Sequence, residues 1–232
     1  MKKLVSLGIV SLMLIASLAV VPQNAQAQGP GLVSSILNKM ERNRRDMRSL
    51  RASVTIQKYN AQIRDTDMSF GEVQYMPGQG RNVSVRLDIQ RPQKELLAVS
   101  DGKYTLFKPR MNMAYVGNTN SAKGNGKVSG VLGFGLNMSS AQLKSSYNVE
   151  LLGEGSLDGP HVWLLKFTPK GGANFKYAEV WVGDDGMPLQ TRVTERNNDS
   201  TLVRLGNIQK NASIPSNVFK LDLGSGVKIV KG

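Results

Sequence analysis

The chain has 232 residues, with 30 Lys and Arg against 17 Asp and Glu and a formal net charge of +13 at pH 7. It contains no cysteine, which excludes a disulfide framework, a thiolate metal site, a cysteine nucleophile and acylation at a processed N-terminal cysteine. The basic balance favours anionic partners, but aromatic residues make up only 6% of the chain, too few for a platform that stacks nucleic-acid bases.

Residues 1–27 read as an export signal. Lys2 and Lys3 form a positive start, Leu4 to Val21 is almost wholly apolar, and Pro22 breaks the run ahead of Ala25-Gln26-Ala27. The apolar stretch is long enough to be weighed as a membrane span, but the small-x-small site follows directly, so cleavage after Ala27 is expected. Residues 28–232 then form one domain, still strongly basic because only Lys2 and Lys3 leave. Export sets nucleic acid aside as a partner, and a monomer is expected.

Residues 31–48 read as an amphipathic helix. Pro30 suits its first turn, and Leu32, Val33, Ile36, Leu37, Met40 and Met47 recur at helical spacing. Its other face and its end carry Lys39, Arg42, Arg44, Arg45, Arg48 and Arg51, cations that complement the helix dipole. Arg42, Arg44, Arg45 and Arg48 form a candidate docking patch, or else a solvated face.

From Leu50 the period changes to two. Val54 and Ile56 alternate with Ser53 and Thr55, Val73 and Tyr75 with Glu72 and Gln74, and Val83 to Ile89 with Asn82 to Asp88. Leu96 to Val99 meets Asp101-Gly102, and Tyr104 to Phe107 returns, a hairpin pattern. Met111, Met113 and Tyr115 continue it. Gly117 to Lys127 is a polar loop, and Val128 to Met138 is apolar but glycine-rich. Ser139-Ser140 caps a short helix through Tyr147. Strands resume at 148–152, 161–168, 175–182, 187–195 and 201–208, and a last segment runs from Val218 through Ile229. The expected architecture is α+β, mainly antiparallel, with one curved sheet closing on itself.

No catalytic constellation emerges. The single histidine, His161, lies beside the apolar strand Trp163-Leu165-Phe167, and no Gly-x-Ser-x-Gly elbow accompanies it. One histidine without cysteine cannot build a zinc site of the usual kind. Gly124-Asn125-Gly126-Lys127 lacks the serine or threonine of a phosphate loop, Val128 standing in its place. No enzyme, metal or cofactor is expected.

An ordered set of short segments resembles the periplasmic outer-membrane lipoprotein carriers, the LolA-like family. It comprises Gly71-Glu72-Val73 with Pro77, Val99-Ser100-Asp101-Gly102-Lys103-Tyr104, Phe167-Thr168-Pro169-Lys170 and Val180-Trp181-Val182 with Asp185-Gly186. Leu189-Gln190, Glu195, Asn211-Ala212-Ser213-Ile214-Pro215, Val218-Phe219-Lys220-Leu221 and Gly226-Val227-Lys228-Ile229 complete it. The resemblance implies an unclosed β-barrel with helices covering an apolar concave face. It implies a periplasmic chaperone that holds lipoprotein acyl chains, or other lipids, between an inner-membrane exporter and an outer-membrane acceptor. In that family a basic residue before the strand proline latches the lid; Met76 stands there.

The inward positions are Val54, Ile56, Val73, Tyr75, Val85, Leu87, Leu97, Val99, Trp163, Leu165, Phe167 and Val180. Alternation alone reads them as packed core, whereas the resemblance implies a ligand-binding cavity. The corresponding lid is the segment with Val131, Leu132, Phe134, Leu136 and Met138. Two other readings use the same half-barrel: a carrier of free, anionic lipids, and a regulator that senses lipoproteins.

Overall fold

The structure is a computed structural model and describes residues 30–78, 83–119 and 136–231. Helix α1 spans Pro30–Asp46, and its buried Ile36, Leu37 and Met40 form one apolar stripe at helical spacing. Helix α2 spans Ser140–Ser146. Its capping box is complete: Ser139 Oγ accepts from Gln142 N at 3.1 Å, and Gln142 Oε1 accepts from Ser139 N at 2.8 Å.

Twelve strands make one sheet among the described residues. They are β1 (Leu50–Asn60), β2 (Asp65–Pro77), β3 (Val83–Arg91), β4 (Glu95–Ser100), β5 (Lys103–Lys108) and β6 (Met113–Asn118). The second half supplies β7 (Tyr147–Ser156), β8 (His161–Pro169), β9 (Phe175–Gly183), β10 (Pro188–Glu195), β11 (Ser200–Lys210) and β12 (Lys228–Lys231). Their order is β12-β6-β5-β4-β3-β2-β1-β11-β10-β9-β8-β7. Among the described residues the sheet therefore has two edges, β12 and β7, and does not close on itself as the alternation suggested. Bulges at Arg51/Ser53, Phe70/Gly71 and Leu151/Gly153 add twist and bend the strands that carry them. At one of them a side chain is excluded: a Cβ on Gly71 would lie 2.2 Å from the Asp88 carbonyl oxygen.

The end of the chain departs from the sequence reading. Val218 through Ile229 is not a long strand; a 3-10 turn at Ser216–Phe219 precedes a non-regular stretch, and only Lys228–Lys231 pairs, parallel to β6. Leu221 and Leu223 do alternate with polar neighbours, but Gly224 and Gly226 interrupt the run before it can extend.

Burial alternates along each central strand and defines an inner face. In β1, Leu50, Ala52, Val54 and Ile56 are buried, and Arg51, Ser53, Thr55 and Gln57 lie on the outer face. Two apolar clusters fill parts of the inner face. One joins β1–β4 and β11 with Met47, Leu136 and Met187. The other joins Ile36, Leu37 and Met40 of α1 and Leu143 of α2 to Trp163, Leu165, Phe167, Ala178, Val180 and Val182. Each large aliphatic side chain buried this way contributes about 1.5–3 kcal/mol.

Helix α1 is also bolted to one end of the sheet. Gly186, in the β9–β10 turn, touches the backbone of Lys39 and Met40 so closely that a Cβ there would fall 2.3 Å from Lys39 C and O. Asn43 Nδ2 donates to Met187 Sδ at 3.5 Å, and Lys210 Nζ donates to Asn43 Oδ1 at 3.2 Å. Asn211 accepts from Arg48 N and donates to Asp46 O. On the opposite side, Ser140 N donates to Glu41 Oε2 at 3.1 Å, tying α2 to α1.

Candidate functional site

Helices α1 and α2 pack on the β7–β9 part of the inner face, and the β1–β5 part carries the other apolar cluster. There, a groove of about 340 Å³ runs over Ile56, Leu87, Ile89, Leu97 and Leu106. Cross-strand register builds its floor: Leu87 stands opposite Leu97, and Leu97 opposite Leu106. The rim is polar, with Lys58, Asp67, Ser69, Gln93, Glu95 and Lys108. Lys108 Nζ meets Glu95 Oε1 at 3.0 Å, one residue pair beyond the apolar floor. An apolar floor beside a charged rim suits an acyl tail lying along the floor.

A cleft of about 490 Å³ borders Ser53, Thr55, Asn207 and Asp158, and the Asp158–Arg204 ion pair lies at it. A hydrocarbon tail there would strip water from those groups, so size alone does not select the site.

The twelve predicted inward residues are all buried, but they fall into two groups. Ile56, Leu87 and Leu97 line the groove. Val54, Val73, Tyr75, Val85 and Val99 belong to the same apolar cluster beside it. Trp163, Leu165, Phe167 and Val180 sit in the other cluster, against the helices. Sequence reasoning passed over Ile89 and Leu106 as site residues. Ile89 ends an alternating run already recognised, so the signal was present; Leu106 joins the floor only through its partner on β4.

Of the lid residues, Leu136 is buried and lines a small cleft with Pro188, Leu189, Val203 and Leu205. Met138 packs on the helix-covered cluster, so this end of the segment bridges both clusters. Val131, Leu132 and Phe134 lie outside the described residues, as does the signal-peptide reading of residues 1–27.

The arginines divide as well. Glu41 accepts from Arg44 Nε and Nη2 at 3.1 and 2.8 Å and from Arg45 Nε at 2.8 Å. These bonds, with Arg44 the largest influence, bring the Glu41 carboxyl down to about 2. Arg44, half-buried, is thus held by Glu41 within α1, whereas Arg45 pairs with the same carboxylate but stays exposed, as do Arg42 and Arg48.

His161 is held structurally. Its Nδ1 lies 2.8 Å from Asp184, and its ring stands edge-on to Trp163 at 5.0 Å. Among the described residues no group of three or more His, Cys, Asp or Glu is placed to hold a metal. No described helix is long and apolar enough to cross a membrane.

Comparison with known proteins gives a family. A family model described as "Outer membrane lipoprotein carrier protein LolA" matches residues 79–222, well over half of the chain. Among solved structures, that of MucB aligns with a TM-score of 0.55 and 16% identity over 87% of this chain and 66% of the other. The Pseudomonas aeruginosa MucA/MucB complex aligns with a TM-score of 0.50 and 16% identity over 85% of this chain and 63% of that one. The chain thus spans less than two thirds of those proteins, and at such identities the likeness is one of fold. No curated protein sequence is significantly similar.

Proposed function

Because the chain belongs to the outer membrane lipoprotein carrier protein family, a family of non-catalytic carriers implicated in periplasmic lipid and lipoprotein transport, we propose that it is a periplasmic chaperone that holds lipoprotein acyl chains in the inner-face groove and ferries them from the inner to the outer membrane. Residues 1–27 direct its export, and residues 28–232 form the carrier domain.

The observation that carries this reading is the groove floored by Ile56, Leu87, Ile89, Leu97 and Leu106 beside a helix-covered half-sheet. Each methylene exposed to water costs about 0.8 kcal/mol, so an acyl tail does not leave a bilayer unaided on a useful timescale. A groove lowers that barrier. At about 340 Å³ it lies near the small end of ligand sites, and it is open along one side. Incomplete burial keeps affinity below that of a bilayer, so the cargo can leave again. Exposed Arg42 and Arg48 offer a basic contact for an exporter or an acceptor.

The test is native mass spectrometry of the protein isolated from the periplasm, beside a Leu106→Glu variant. Leu106 is only partly buried, so a carboxylate there charges the floor with little loss of folding. Acylated peptides or proteins bound to the wild type and depleted at least tenfold in the variant support the reading. Phospholipid alone favours the free-lipid carrier, and equal occupancy in both proteins removes the groove from the account.

A further inference from the structure

Tyr75 is 3% exposed, and among the described residues nothing hydrogen-bonds its Oη. Buried polar groups are nearly always paired, and an unmet hydroxyl costs more than a hydrogen bond returns, so the exception calls for a ligand or a reason. Its position supplies one. Tyr75 stands opposite Val85, Val85 opposite Val99, and Val99 opposite Tyr104. That row adjoins the Leu87–Leu97–Leu106 row, so Tyr75 lies two residues beyond the apolar floor, at the end away from Lys58 and Asp67. Met47 and Leu50 share its cluster, and Arg44 is near enough for its charge to act on the phenol.

We propose that Tyr75 Oη is the polar anchor of the groove, donating a hydrogen bond to the carbonyl oxygen of an acyl ester or amide whose tail lies along Leu87, Leu97 and Leu106; this rests on the carrier reading above. The phenol is a donor suited to a carbonyl, and burial pushes its pKa up to about 12, which keeps it protonated at neutral pH. Gln74 Oε1, also buried without a partner, does not serve: it is on the outer face, between Arg51 and Arg86 in register, and an oxygen cannot donate to a carbonyl. Reaching Tyr75 requires the side chains over its row to part, so the bond forms only in the loaded state.

The experiment compares the mature protein with Tyr75→Phe, using three probes in displacement titrations. They are palmitoyl lysophosphatidylcholine, its hexadecyl ether analogue without the carbonyl, and an N-palmitoyl tripeptide. Wild type should bind the carbonyl probes about three- to tenfold more tightly than the ether, the gain of one net hydrogen bond. Tyr75→Phe should erase that preference and leave the ether affinity unchanged. A preference confined to the ester assigns a membrane lipid as the source, and one confined to the amide assigns a lipidated polypeptide.

A preference kept in Tyr75→Phe overturns the anchor, as does equal weakening of all three probes, which would mean packing alone. If wild type binds the ether and carbonyl probes equally, the anchor fails while the carrier reading stands; if it binds none, the carrier reading fails and takes the anchor with it. The unliganded variant should melt at or above the wild-type temperature, because an unmet donor has been removed. Melting below it with the preference intact would show that the hydroxyl serves the fold, and would also overturn the proposal.

Discussion

The contact between the β9–β10 turn and α1 predicts a large effect from one methyl group. Gly186 has φ +82, and a Cβ would lie 2.3 Å from Lys39 C and O and 2.6 Å from Met40 N. Gly102, in the β4–β5 turn, has φ +72 with no atom within 4 Å of the same position. Gly102→Ala therefore measures the left-handed backbone alone, a cost of about 1–2 kcal/mol. Gly186→Ala adds a collision with helix backbone that no rotamer relieves. The helix has to shift and loosen Ile36, Leu37 and Met40, and misfit of that kind costs about 1–3 kcal/mol more. The expected total is about 2–5 kcal/mol. With a urea slope of about 2 kcal/mol per molar, the midpoint should fall by about 1–2.5 M for Gly186→Ala and about 0.5–1 M for Gly102→Ala. Fluorescence of Trp163 and Trp181 reports it; Trp163 lies beneath Lys39, whose Nζ is 4.2 Å from the ring centroid. Equal midpoints for the two variants would refute the claim that this turn clamps the helix.

Two further outcomes follow from the charges on α1. The Glu41 pKa falls from 4.5 to about 2 on folding, so the stability it contributes is complete above about pH 4.5 and is lost as pH falls towards 2. Urea midpoints taken from about pH 6 to about pH 3 should decline less steeply in Glu41→Gln than in wild type. Arg42→Gln combined with Arg48→Gln should weaken association with anionic vesicles at low salt and matter little at high salt. Arg44→Gln should instead lower stability by about 0.5–1 kcal/mol, since that guanidinium already belongs to Glu41; unchanged vesicle binding in the double variant would make the exposed arginines a solvated face.

Much of the fold was legible because the interactions that specify it are local. Alternation at Val54 and Ile56, or Val85 and Leu87, decides which side of a strand turns inward, as a pleat gives successive side chains opposite faces. Asp101-Gly102 and Asp185-Gly186 mark hairpins through the positive φ of their glycines, and Ser139 marks a helix start through its hydroxyl. The family resemblance, carried by short ordered segments, agrees with the family match over residues 79–222.

Local pattern cannot say what an inward side chain meets. Phe167 and Leu87 look alike on their strands, yet α1 and α2 cover the first while the second floors a groove. That division is made by contacts between residues far apart in the chain, Gly186 against Lys39 and Asn43 against Met187. The capture of Arg44 and Arg45 by Glu41 is local in sequence, but its tie to Ser140 is not. The Tyr75 hydroxyl, unpaired among the described residues, and the parallel β6–β12 pair likewise exist only once distant segments are in place. Sequence by itself determined most of the strands, their inward faces and the leading helix, because period and turn chemistry act within a few residues. Tertiary structure alone decided which part of the inner face the helices cover and which part floors a groove, because that depends on which distant surfaces come to lie on it.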